Sequence, residues 1–252
     1  MKQLNDIVEG YIDNWHQIVQ ADGDGGDSLN RIGCFESACA VLPLEPGDRL
    51  MSNQMLHWAH LGIEQGIEPG RYRRHPDQDK WSSNINNVTR DQMQPLEAAW
   101  ALTGNVAHAR RHMALRLKRG MLHFSHENDG LDAGPLKTKM PDLPTGVELG
   151  IIIRAVQFKF LFPLLYFFDL FLLLDVLFFR RTDRNIWDMD NQLLPAVLAS
   201  VKVQPTFISL LAAKEYARTD AAARLTNYYS LVHNGIPPLG QLMVAAFETL
   251  KG

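Results

Sequence analysis

Seven residues, Asp22-Gly23-Asp24-Gly25-Gly26-Asp27-Ser28, hold three carboxylates separated only by glycine. Like charges this close disfavour one another unless a cation, a shared proton or the positive end of a helix uses them. A glycine-flexed loop that brings two carboxylates to a cleft suits glycoside hydrolysis, where one acid protonates the leaving oxygen and another activates water. The competing reading is an acidic turn in which Asp27 or Ser28 caps a helix. A calcium hand does not fit, because its fifth, sixth and twelfth positions would be Gly26, Asp27 and Gly33.

A second constellation, Arg73-Arg74-His75-Pro76, is followed by Trp81 and then by Arg90-Asp91-Gln92. Aromatic rings stack on sugar faces, while Arg, Asp and Gln make the directional hydrogen bonds that a polar ligand needs. An arginine and aspartate network that staples a long loop to the domain would use the same residues. A third group, His123, His126, Asn128, Asp129 and Asp132, starts like a zinc site, yet no further ligand follows at a standard spacing. Arg180, Arg181, Asp183, Arg184, Asn185, Trp187, Asp188 and Asp190 read as a charged turn between helices. No nucleophile elbow, phosphate-binding glycine loop or dinucleotide fingerprint occurs, so serine hydrolase, nucleotide hydrolysis and nicotinamide chemistry lose ground.

The elements that would position these groups read as helices. Leu4, Ile7, Val8, Tyr11, Ile12, Trp15, Ile18 and Val19 recur at spacings of three and four, which predicts an amphipathic helix over 4–20. Further helices are expected over 28–42, ended by Pro43 and Pro46, and over 48–66 with Met51, Met55, Trp58 and Leu61 on one face. After a polar loop over 67–88, Thr89 caps the next helix, Gly104-Asn105 breaks it, and another covers 106–120. A second polar loop fills 121–146. An apolar helix then runs to about Phe179, and four more lie near 190–202, 205–217, 220–232 and 238–250. Period-two alternation is weak throughout, so the fold class is all-α with nine or ten helices.

Phe160 to Phe179 is apolar except for Asp169 and Asp175, and twenty such residues are long enough to cross a bilayer. Each Asp at mid-membrane depth costs ~2.5–3.5 kcal/mol on insertion scales. That favours a helix buried on most sides of a domain, its acids turned toward a cavity or an arginine, and leaves membrane anchorage through 160–179 as the alternative.

The net charge of -3 supplies no broad basic field, so binding along nucleic-acid backbone is not expected. Arg110, Arg111, Arg116, Lys118 and Arg119 read as a solvated helix face. Cys34 and Cys39 form neither a disulfide framework nor a metal quartet. The amino-terminal residues lack the basic start and apolar core of a signal peptide, which makes the cytoplasm the expected location.

The alternation of helices with long polar loops, together with the 22–28 loop, Trp81 and Arg90-Asp91-Gln92, resembles the (α/α) toroid proteins, a group rich in glycoside hydrolases and polysaccharide lyases. The resemblance implies helical hairpins in a ring, loops at one end forming a sugar cleft, and a water-activating aspartate at Asp22 or Asp24. Its motif content lies within residues 1–145. The resulting expectation is one helical domain over 1–252, with a sub-boundary near 121–146. It would be directed at a carbohydrate or another polar small molecule, with neither metal nor cofactor. Asp22, Asp24 and Asp91 would be its acids, and Asp27, Arg31, Arg74, His75, Trp81, Arg90 and Gln92 its pocket. A non-enzymatic assembly component, such as part of a phage particle or secretion machine, is the alternative of another class. Self-association into a homo-oligomer is compatible with either.

Overall fold

The computed structural model describes residues 9–20, 25, 27–64, 69–77, 88, 90–118, 145–181, 189–231 and 235–251. Asp13 sets the path of the first of these. Its Oδ1 accepts the backbone N–H groups of Trp15 and Gln17, its Oδ2 pairs with His75, and His16 takes a left-handed φ of 58°. A side chain that captures nearby amides competes with the helical ladder. The amphipathic pattern therefore does not give a helix over 9–20: a 3-10 turn at Glu9–Tyr11 leads into an antiparallel bridge between Ile12 and Ile18. Ile18 and Val19 still turn inward and Tyr11 and Ile12 are half-buried, whereas Trp15 is exposed.

Ten α-helices follow among the described residues, with no strand: α1 (Ser28–Val41), α2 (Pro46–Glu64), α3 (Arg90–Thr103), α4 (Val106–Lys118), α5 (Gly146–Val156), α6 (Leu165–Arg181), α7 (Met189–Lys202), α8 (Phe207–Tyr216), α9 (Ala221–Leu231) and α10 (Pro237–Glu248). The all-α expectation holds. Helix α1 is the hub, buried from Ser28 to Cys39 and packed against α2, α3, α7 and α10. Its approach to α3 is close because residue 33 is glycine. A Cβ there would lie 2.8 Å from Leu96 Cα and nearer still to the Leu96 nitrogen.

On α2, the face bearing Trp58 and Leu61 is exposed, while Ser52, Leu56, Ala59, His60 and Ile63 turn inward. On α4, Arg116 departs from the solvated face expected of it. It is fully buried and pairs with Glu97 of α3 at 3.1 Å and with Glu148 of α5, so two carboxylates compensate a charge that could not otherwise leave water. Arg110 and Arg111 are exposed as expected.

The apolar run after Thr145 is three elements instead of one helix. Thr145 caps α5 by accepting the Glu148 N–H, and α5 ends where Gln157 adopts a left-handed φ of 54°. A 3-10 turn over Lys159–Leu164, containing Pro163, then leads into α6. One stripe of α6, Leu165, Asp169, Leu172 and Val176, packs inward. Asp169 accepts two bonds from Arg154, at 2.9 and 2.8 Å, and one from Thr206 Oγ1 at 2.6 Å. The expectation that this acid turns toward an arginine is met. The expectation of a helix buried on most sides is not.

Candidate functional site

The acidic loop meets the second constellation at Asp27, which starts α1 without using its carboxylate as a cap. Gln92 Nε2 donates to Asp27 Oδ1 at 2.8 Å, Arg74 approaches the same oxygen at 3.5 Å, and Arg31 stands 3.8 Å from Oδ2. Side chains from up to 65 positions away in sequence thus share this one carboxylate, 38% of which is exposed. Arg31 is buried and also reaches the Ile18 carbonyl, to which the Ser28 hydroxyl donates as well. The cluster joins the start of α1, the 69–77 loop and α3.

His75 lies beside this cluster, fully buried. Its Nδ1 accepts the Asp77 N–H at 2.9 Å, and its Nε2 meets Asp13 Oδ2 at 2.8 Å. Burial alone would push the Asp13 carboxyl up, but the bonds from His75, Gln17 and Trp15 prevail and hold it below its ordinary range. With both ring nitrogens engaged, His75 anchors the loop. Asp22, Asp24 and Trp81 lie outside the described residues, as do the side chains of Arg90 and Asp91 and the whole His123–Asp132 group.

Two further features stand out, and the sequence pointed only to the second, through its apolar run over 160–179. The first is a cavity of about 360 Å³ walled by α1, α2 and the α3–α4 turn. Helix α2 lines it with one polar face, Arg49, Asn53, His57 and His60, and α1 adds Glu36 and Cys39. Glu36 is buried; its Oε2 lies 2.8 Å from His60 Nε2, and its Oε1 lies 3.3 Å from Thr103 Oγ1, whose proton also serves the Ala99 carbonyl at 2.8 Å. His108, also in the wall, stacks at a tilt on His60 with ring centroids 5.3 Å apart. Its Nδ1 faces Tyr72 Oη at 2.8 Å and Glu64 at 3.0 Å. Burial lowers the His108 pKa against the opposing pull of Glu64, so this ring is neutral near pH 7. Spacings of three and four among Arg49, Asn53, His57 and His60 were the available signal. A polar helical face is ordinarily read as solvated, which hid it.

The second feature is apolar. Phe167, Leu170, Phe171, Leu174 and Phe178 form a stripe on the side of α6 opposite its buried one, each between 39% and 60% exposed. Phe158 and Phe160 before the helix, and Phe207 and Leu210 on α8, are exposed as well. The segment Lys159–Phe178 is long and apolar enough to cross a membrane, yet only 22% of it is buried. Isolated exposed apolar residues are common; five on one face of a single helix are not.

No protein family, curated protein or solved structure matches the chain, so the site must be read from its own geometry.

Proposed function

We propose that the protein is membrane-associated and seats on a lipid surface through the outer face of α6. The observation that carries this reading is a helix apolar on two opposite sides with only one side covered. Lying in the interface fits better than crossing it. The bidentate Arg154–Asp169 pair and the Thr206 hydroxyl tie α6 to α5 and α8, and a crossing helix would have to break them. Basic side chains near the apolar residues suit lipid phosphates, with Asp175 and Glu215 as acids in the same region: Lys159 is exposed, the Arg110 guanidinium covers the Phe158 ring at 4.7 Å, and Lys214 lies one turn beyond Leu210. Flotation with vesicles of phosphatidylcholine and phosphatidylserine tests the idea. The wild type should float, and the Phe167→Glu, Leu174→Glu double variant should stay with the soluble fraction at unchanged helical circular dichroism. A wild type that remains unbound and monodisperse without detergent would remove the proposal. A stable dimer that buries this face would favour the assembly reading instead.

The meeting of Asp27, Arg31, Arg74 and Gln92 favours a second reading, a carbohydrate-directed protein built as part of a helical toroid. The packing of α9 on α10, its neighbour in sequence, is compatible with hairpins of that kind. In this reading Asp22, Asp24 and Asp91 supply acid and base, while Asp27 holds Arg74 and Gln92 in position for a polar ligand. Asp24→Asn should abolish release of reducing ends from a polysaccharide that the wild type degrades, and undiminished release would exclude it.

A further inference from the structure

We propose that the cavity between α1, α2 and the α3–α4 turn binds a small polar molecule carrying a primary ammonium group, anchored by the Glu36 carboxylate. Its volume of about 360 Å³ is that of an ordinary small-ligand pocket. Nine of its twelve lining residues are of polar or charged type, with Cys39, Ala40 and Leu56 as the others. An apolar ligand would strip water from an amide, a carboxylate and imidazoles without replacing their hydrogen bonds.

The charge on Glu36 selects the ligand further. This side chain is 5% exposed, and among the described residues no lysine or arginine pairs with it. Its close partner is His60 Nε2; the Thr103 hydroxyl lies 3.3 Å from its other oxygen but shares its one proton with the nearer Ala99 carbonyl at 2.8 Å. His60 Nδ1 is sealed from solvent and has no hydrogen-bond partner among the described residues, so the tautomer that fits carries the proton on Nε2. The carboxylate is hydrogen-bonded, but among the described residues no fixed countercharge from a lysine or arginine stands against it. Buried carboxylates normally have one. A carboxylate can accept about four hydrogen bonds, so two positions remain for an incoming donor.

An anionic group would be repelled at Glu36, and an ammonium group would be drawn to it. Arg49, exposed on the first turn of α2 and held by the Leu42 carbonyl at 3.2 Å, belongs to the same wall. It offers a cation to the far end of a zwitterion. Asn53 and Asn105 add amides that both donate and accept. Among the described residues no three metal-ligating side chains gather closely enough to hold an ion, which points to an organic occupant.

Saturation-transfer NMR on the full chain tests this with matched probes, alanine against lactate and glucosamine against glucose, each pair differing by an ammonium in place of a hydroxyl. The amine of at least one pair should receive transfer, with its hydroxyl counterpart binding about tenfold more weakly or worse. Glu36→Gln should remove the signal, and so should Asn53→Trp, which closes the cavity from an exposed rim position and does not disturb the Glu36–His60 contact. If Glu36→Gln fails to fold, the rim variant decides. Absence of transfer to both amines, equal transfer to amine and hydroxyl partners, or undiminished binding in the rim variant would each overturn the proposal.

Discussion

Arg116 imposes its charge on His112 one turn earlier in α4. The imidazole is buried, its Nδ1–H donates to the Gly70 carbonyl at 2.9 Å, and Glu97 stands 3.5 Å from Nε2. Burial and the nearby guanidinium push its pKa from 6.5 down to about 4. Between those two values the unfolded chain binds more protons than the folded one, so stability rises with pH across the window. The contribution is complete above about 6.5 and is lost as pH falls toward 4, in total roughly 3 kcal/mol. Urea unfolding at the two ends of the window should show this loss in the wild type and a smaller one in His112→Asn, which keeps a donor for Gly70. Equal losses in both proteins would exclude His112 as the source. Nothing in the sequence separates Arg116 from Arg110 and Arg111, because its two carboxylate partners come from other helices. Residue type was visible, and partnership was not.

Helix positions were the most readable level, since the 3.6-residue period and the capping residues are local. Helices α1, α2 and α7 to α10 lie where pattern places them. The misplaced elements are those where one side chain or one backbone angle overrides the period: Asp13 at the start of the chain, and Gln157 with Pro163 in the apolar run. At this scale Gly33 permits the contact on which the hub depends. Gly33→Ala should lower stability by about 1–3 kcal/mol, because α1 and α3 must separate to admit a methyl group. Gly47→Ala is the control: a Cβ there meets nothing within 4 Å, and the change should be neutral or stabilising by up to about 1 kcal/mol through helix propensity. Thermal denaturation of the pair checks both signs, and a harmless Gly33→Ala would refute the close-contact account.

For the molecule as a whole, composition identified the residues available to a site but not the surfaces they form. Asp27, Arg74 and Gln92 drew notice as types, and that they share one place follows from the 69–77 loop crossing the start of α1. The Glu36 cavity takes its walls from three segments, none with a motif of its own. The 160–179 stretch was legible as apolar. Which side of α6 faces outward depends on Arg154, which gathers Asp169, Val203 and Gln204 on the inner side.

The two cysteines of the hub carry a consequence of their own. Cys34 is buried against the Asn191 carbonyl of α7, with burial pushing its thiol up to about 12, and Cys39 is raised for the same reason in the cavity wall. Neither sulfur is a nucleophile while the fold is closed. An alkylating reagent therefore counts openings, with Cys34 recording each parting of α1 from α7 and Cys39 each loosening of the pocket wall. The chain carries two stopwatches for its own breathing, and an occupant of the cavity would slow the second more than the first.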